Sequence, residues 1–235
     1  MPVIGLDAGH GGESSGTYSV NTANDGLFEK DFTLELVKAI NSRLVEHGFK
    51  TVLTRTADYN SGNVMKRAQM CINSKCDYAV SIHFNGFENE SANGTEVFVP
   101  YGEKFANIEA GYLKCLKKYF KLRAPFARAN SFYDRNDVFD KKLNEQTKRF
   151  DAYDEQKDYF GFIRTCWENG LSADLLEICF LTNPQDFKAY TENREAIADG
   201  IARAIVEGFG KKYHAVKSKT SRAVPRIKRK FDVIN

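Results

Sequence analysis

The chain holds 235 residues, 42% hydrophobic, 13% aromatic and 28% charged, and its 34 Lys+Arg against 31 Asp+Glu leave a formal charge of +3. Disorder throughout is excluded by that apolar content, and a helical membrane span by the lack of any stretch approaching ~20 apolar residues. The length suits one α/β domain with a proper core and room for a short appendage. Met1-Pro2 runs straight into Val3-Ile4-Gly5-Leu6 with no basic region before it, so the expectation is synthesis in a cytoplasm without a signal peptide.

In chain order, Val3–Asp7 reads as a short apolar strand that breaks at Gly9, Gly11 and Gly12. A helix follows from about Glu29 to Glu46, with Phe32, Leu36, Ile40 and Leu44 on one stripe and Gly48 closing it. Thr51–Thr54 is a predicted strand, and Asn63–Asn73 a helix through Val64, Ala68 and Ile72. Tyr78–His83 is a further strand, and Gly94–Val99 alternates like a half-exposed one. Lys104–Lys121 is amphipathic through Phe105, Ile108, Tyr112, Leu116 and Phe120. Asp174–Leu181 reads as a buried strand, and Asn193–Phe209 as a helix through Ile197, Ile201 and Ile205. Strands alternating with helices predict a single α/β domain over residues 1–210, its central sheet mostly parallel or mixed and flanked by helices on both faces.

Two segments depart from this rhythm. Residues 124–160 are polar, rich in Asp, Asn, Arg and Lys with Phe and Tyr interspersed, and read as a lid, a groove segment or a plain surface excursion. Lys141–Lys157 is a helix candidate with a thin apolar stripe of Leu143, Phe150 and Tyr153. Residues 211–235 carry nine Lys/Arg and one acid, Asp232, so this tail is +8 while residues 1–210 are −5. Such an arm suits an anionic polymer, or is a solvated terminus; no base-reading motif accompanies it, so no nucleic-acid partner is expected. The five cysteines (Cys71, Cys76, Cys115, Cys166, Cys179) match no common zinc or redox spacing and are expected to be free thiols.

Chemistry gathers where strands end, because ligands of open α/β sheets bind beyond the carboxyl ends of the strands. Asp7-Ala8-Gly9-His10-Gly11-Gly12 follows the first strand and Ser81-Ile82-His83-Phe84-Asn85 ends another. Glu29 begins the first helix on its inward stripe, and Glu177 stands inside the run Leu175-Leu176-Glu177-Ile178-Cys179-Phe180-Leu181. Each has a plainer reading. His10 fits a loop histidine, His83 a satisfied core histidine, and Glu29 a carboxylate favouring a helix N-terminus. Glu177 is harder to absorb, since an unpaired buried carboxylate costs several kcal/mol (~2–7 for a buried polar group, more for a charge). Two imidazoles and a carboxylate converging at one sheet edge would make a three-ligand zinc site with an open fourth position, though 10, 29 and 83 are not a local spacing.

Five stretches, in order, resemble the zinc-dependent N-acetylmuramoyl-L-alanine amidases of the amidase-3 type, which cut bacterial peptidoglycan. They are Ile4–Gly12, Gly26–Phe32, Leu53–Asp58, Val80–Asn85 and Leu175–Pro184, and the likeness spans about residues 3–210. The resemblance implies Zn²⁺ held by His10, Glu29 and His83, with Glu177 as the catalytic carboxylate and Asp7 and Asn85 as candidates for orienting a histidine or holding substrate. It also implies cleavage between N-acetylmuramic acid and L-alanine. A related zinc peptidase cutting within the stem peptide, or a non-catalytic wall-binding module, are the alternatives. A wall hydrolase without a leader further resembles phage endolysins, which act on the wall after release. The basic tail would then bind anionic wall polymers or lipopolysaccharide, and some family members carry an occluding acidic helix near the place of residues 124–160.

Overall fold

The computed structural model describes residues 1–20, 27–100, 104–123, 132–134 and 160–215. The predicted helix over 141–157 and the basic tail beyond Ala215 lie outside them. Among the described residues eleven elements follow one another: β1 (Val3–Ala8), α1 (Glu29–Glu46), β2 (Lys50–Leu53), α2 (Val64–Asn73), β3 (Tyr78–Asn85), β4 (Glu96–Val99), α3 (Ala106–Leu116), β5 (Phe132–Asp134), α4 (Gly161–Glu168), β6 (Ala173–Phe180) and α5 (Pro184–Gly208).

The strands form one six-stranded sheet in the order β2-β1-β3-β6-β4-β5. The β2-β1-β3-β6 block is parallel, β4 runs antiparallel to β6, and β5 lies parallel to β4. Alternation along each strand then sorts the side chains. Ile4, Leu6, Val80, Ile82, Leu176 and Ile178 pack under α1, α3 and α5 in the main core. Ala79 and Ala173 face the other way, against Ala68 and Cys71 of α2 and Phe162 and Cys166 of α4. Helices therefore cover both faces, as the alternating pattern predicts. Among the described residues no helix is long and apolar enough to cross a membrane, and all five cysteines are free, four of them buried.

Three boundaries differ from the sequence reading. α5 starts nine residues before Asn193, because the Asn183 side chain accepts the Asp186 N–H and Pro184 opens the first turn. Its first two turns place Phe187 and Tyr190 on the core; the polar residues between them mask the period. Strand β5 comes from sequence read as an irregular excursion, and the short helix α4 begins just after it, in residues assigned to no element. Packing also continues past Gly210. Tyr213 is buried in the main core, stacks on His47 with centroids 4.5 Å apart, and hydrogen-bonds Asp199. Lys211 adds bonds to the His47 and Gly48 carbonyls.

Candidate metal centre

The site is assembled at the carboxyl ends of β1, β3 and β6. β1 leads into a glycine-rich loop whose position is fixed by a buried arginine from the chain after β2. Arg55 is fully buried and donates from Nε to the Ala8 carbonyl and from Nη2 to the Gly9 and Lys30 carbonyls and Thr33 Oγ1. Thr33 donates to the same Gly9 carbonyl at 2.7 Å, and the Gly9 N–H bonds the Ile82 carbonyl. The loop is thus tied to β3, to α1 and to the chain after β2. At its tip His10 takes a left-handed backbone conformation, φ 63°, which costs a non-glycine residue roughly 1–2 kcal/mol. Ser14 Oγ lies 3.0 Å from His10 Nδ1 and fixes the ring so that Nε2 faces inward.

Glu29 enters from the first turn of α1. That turn is held by the loop before it: the Glu29 and Lys30 N–H groups donate to the Thr17 and Ser15 carbonyls. The residue is 3% exposed and both carboxylate oxygens have two partners each. Oε1 accepts the Phe84 N–H at 3.0 Å and lies 2.9 Å from His83 Nδ1. Oε2 accepts the Thr17 N–H at 3.0 Å and lies 3.1 Å from His10 Nε2. Burial alone would push this carboxyl up, but the hydrogen bonds and charges of the two imidazoles outweigh it and hold it well below the usual carboxylate range. Gly16, at φ +70°, is required beside it, since a Cβ there would lie 2.4 Å from Glu29 Oε2 and 2.8 Å from His10 Cδ2.

His83 is the sixth residue of β3 and stands on the face shared with α2 and α4. The β3–β6 register shifts between His83 and Asn85, where the Phe84 N–H goes to Glu29. The ligand atoms of His10, Glu29 and His83 all lie within 4.8 Å of one another, and no other such group occurs among the described residues. A tetrahedral ion with bonds of ~2.0–2.2 Å places its ligand atoms roughly 3.3–3.6 Å apart, so this set closes on a cation with small side-chain rotations. Two nitrogens and one oxygen, already positioned by Ser14 and by backbone N–H groups, fit zinc chemistry.

Glu177 is the register partner of His83 on β6, and Glu96 of β4 is its partner on the other side. It is not enclosed in the core, as its apolar run implied. It is half-buried and looks into the cleft, because the run is a central strand with both faces covered: Leu176 and Ile178 pack on the main core and Leu175 on the other face. The cleft, about 680 Å³, is lined among others by His10, His83, Glu177, Asn60 and Arg164.

The remaining expected residues take structural positions. Asp7 is fully buried and accepts from Thr54 (2.7 Å), Ser81 (2.7 Å) and Arg67 Nε (2.8 Å), so its described partners include no histidine. Desolvation works against its charge, but Arg67 and the two hydroxyls prevail and lower its pKa. Asn85 donates to Glu96 Oε2 at 2.8 Å, and Arg123 Nε stands 3.5 Å from the other Glu96 oxygen. Asn85 thus holds the carboxylate beside Glu177. The sequence reading missed the positioning residues Arg55, Arg67, Ser14 and Glu96; Thr54-Arg55 directly after a strand was the available signal.

This fold and site define the family. The family model described as N-acetylmuramoyl-L-alanine amidase matches residues 4–207, and the chain belongs to that family. It is 34% identical over 109 residues to the probable N-acetylmuramoyl-L-alanine amidase AmiB of Haemophilus influenzae, over 46% of this chain and 24% of that one. It is 33% identical over 124 residues to the endolysin of Bacillus phage SPP1, over 50% of this chain and 44% of the endolysin. The chain thus spans less than half the length of either relative. The crystallised catalytic domain of CwlV, an N-acetylmuramoyl-L-alanine amidase from Bacillus (Paenibacillus) polymyxa var. colistinus, superposes with a TM-score of 0.68 at 26% identity, over 90% of this chain and all of that one.

Proposed function

We propose that this chain hydrolyses the amide bond between the lactyl carbonyl of N-acetylmuramic acid and L-alanine of the peptidoglycan stem, using zinc held by His10, Glu29 and His83. The observation that carries this is the convergence of three ligand atoms within 4.8 Å beside a cleft-facing Glu177. Zinc bound there would supply a Lewis acid for the carbonyl and would lower the pKa of a water to ~7. Everything else falls to the protein. Glu29, with both oxygens anchored by backbone N–H groups, keeps two imidazoles aimed at one point. Ser14 holds the tautomer and orientation of His10. Glu177, across the register from His83, takes the proton of the attacking water and delivers it to the departing alanine nitrogen.

The likeness to the SPP1 endolysin supports a phage lytic enzyme as the biological setting, and the nine Lys/Arg of residues 211–235 support attraction to anionic wall polymers. Mass spectrometry of digested sacculi tests the reaction. The expected products are stems with free L-alanine amino termini and glycans with unsubstituted lactyl groups, abolished by chelator and restored by zinc. New termini inside the stem would establish a peptidase instead, and chelator-insensitive lysis would remove the zinc assignment.

A further inference from the structure

Three of the five cysteines meet at one end of α2. Cys71 and Cys166 are buried in the small cluster between α2, α4 and the sheet, and half-buried Cys76 packs against it. In a continuing helix positions 71 and 76 would face different ways. The helix does not continue. Ser74 caps α2, and Lys75 takes a left-handed conformation, φ 52°. The Cys76 N–H then donates to the Cys71 carbonyl at 3.1 Å, and the Lys75 N–H to the Ile72 carbonyl at 2.9 Å. These two bonds make a Schellman ending, which folds the second residue past the cap back against the third-last residue of the helix. Those two residues are Cys76 and Cys71.

Both are fixed in place. The 3.1 Å bond holds their Cα atoms no more than roughly 7 Å apart, the limit for a disulfide that needs no backbone movement. The two thiols are hydrogen-bonded to each other. Cys71 is fully buried against β1, where a Cβ on Gly5 would lie 2.7 Å from its sulfur. Beyond Cys76 the chain is pinned at once: the Asp77 N–H donates to the Val3 carbonyl at 2.8 Å, and Asp77 Oδ2 accepts the Val3 N–H at 2.7 Å. The pair is also unequal. Cys76 is half-buried between exposed Lys75 and Asp77, and its hydrogen bond with Cys71 lowers its pKa. The same bond and burial push the Cys71 thiol up. Cys76 is therefore the accessible nucleophile and Cys71 the protonated, enclosed partner that resolves it.

We propose that Cys71 and Cys76 form a redox modification site, a dithiol that a low-molecular-weight disulfide converts to an intramolecular disulfide stapling the end of α2 to the chain entering β3. The Cys76 thiolate attacks one sulfur of the small disulfide, forming a mixed disulfide and releasing one small thiolate. The Cys71 sulfur then displaces the second small thiolate from Cys76, and the Cys71 proton passes to it. Two protein sulfurs are oxidised, and one small disulfide is reduced to a thiol and a thiolate. One turn before Cys71, α2 carries the Arg67 that holds Asp7 and lines the cleft, so the staple reinforces a wall of the site from its far end. This assignment is independent of the amidase reading.

The test incubates the folded full-length chain in buffers of oxidised and reduced glutathione, then alkylates the remaining thiols. The oxidised protein is expected to lose two of its five thiols. Trypsin cuts after Arg67, Lys75 and Lys104, so peptides 68–75 and 76–104 should be recovered joined to each other, and separated by dithiothreitol. Closing so short a loop should raise the melting temperature by roughly 4–8 °C, reversibly. Cys76→Ser should abolish both the linkage and the shift, whereas Cys166→Ser should keep both. Five free thiols persisting in the most oxidising buffer would overturn the proposal, as would a linkage through Cys166 or a melting temperature that oxidation leaves unchanged or lowers.

Discussion

Gly9→Ala alters no metal ligand and should nevertheless remove the metal. A Cβ at this position would lie 2.4 Å from His83 Cε1, 2.6 Å from Nε2 and 2.7 Å from Nδ1, about 1 Å inside normal contact. The loop cannot retreat. The Gly9 N–H is bonded to Ile82 and its carbonyl receives Thr33 at 2.7 Å and Arg55 at 3.0 Å. His83 must therefore move by roughly 1 Å, losing its 2.9 Å contact with Glu29 Oε1. Overpacking of this kind costs about 1–3 kcal/mol of stability. Displacing a ligand ring should cost at least the ~10–100-fold in metal affinity seen on losing an outer partner of a ligand. Zinc content by elemental analysis and zinc affinity by competition with a chromophoric chelator are the measurements. The metal-free variant should unfold cooperatively, within about ten degrees of metal-free wild type. One equivalent of zinc at wild-type affinity would refute the reasoning, because it would mean that the ring seen against Gly9 is not a ligand.

Three further outcomes follow from the same geometry. Glu177→Ala should retain zinc while losing about 10²–10⁴-fold in muralytic rate, whereas His10→Ala should lose both; metal loss in the Glu177 variant would make it a ligand instead of a base. Asp7→Asn should cost roughly 3–5 kcal/mol at neutral pH by leaving Arg67 buried without its counter-charge, as read from urea denaturation. Because the folded Asp7 carboxyl is depressed, its contribution is intact above the ordinary carboxylate range and fades as pH falls through the lower folded value. The two proteins should thus converge in acid, and parallel stability curves would count against the pair. Deleting 216–235, a cut that spares the packed Tyr213, should weaken binding to sacculi and flatten its salt dependence while leaving the melting temperature unchanged; identical salt curves for both lengths would rule out an electrostatic role for the tail.

How much was legible in the sequence follows from which interactions are local. The apolar runs of β1, β3 and β6 come from strands covered on both faces and the stripe of α1 from one face meeting the core, and both are recorded directly in the hydrophobic pattern. Glu29 on the inward stripe of α1 was readable for the same reason, and the ordered motifs carried the family. α4 and the start of α5 were not. The former is only eight residues long, and the latter begins with a polar turn whose signal is an Asn183-Pro184 cap instead of a period.

The sequence by itself determined the α/β alternation and the free thiols, which depend on residue type and short spacing, and the candidate ligands through ordered motifs that resemble the family. Only the tertiary structure decided that 10, 29 and 83 meet, because that meeting is made by parallel strand register and by Arg55, Thr33 and the Phe84 N–H, contacts between residues far apart in the chain. It also moved Glu177 from an apparent core position to the cleft wall and Asp7 from an expected place beside the histidines to a buried tie with Arg67. A run of apolar letters cannot say which face of a strand is left uncovered, and an acid's letter cannot say which cation its fold brings to it.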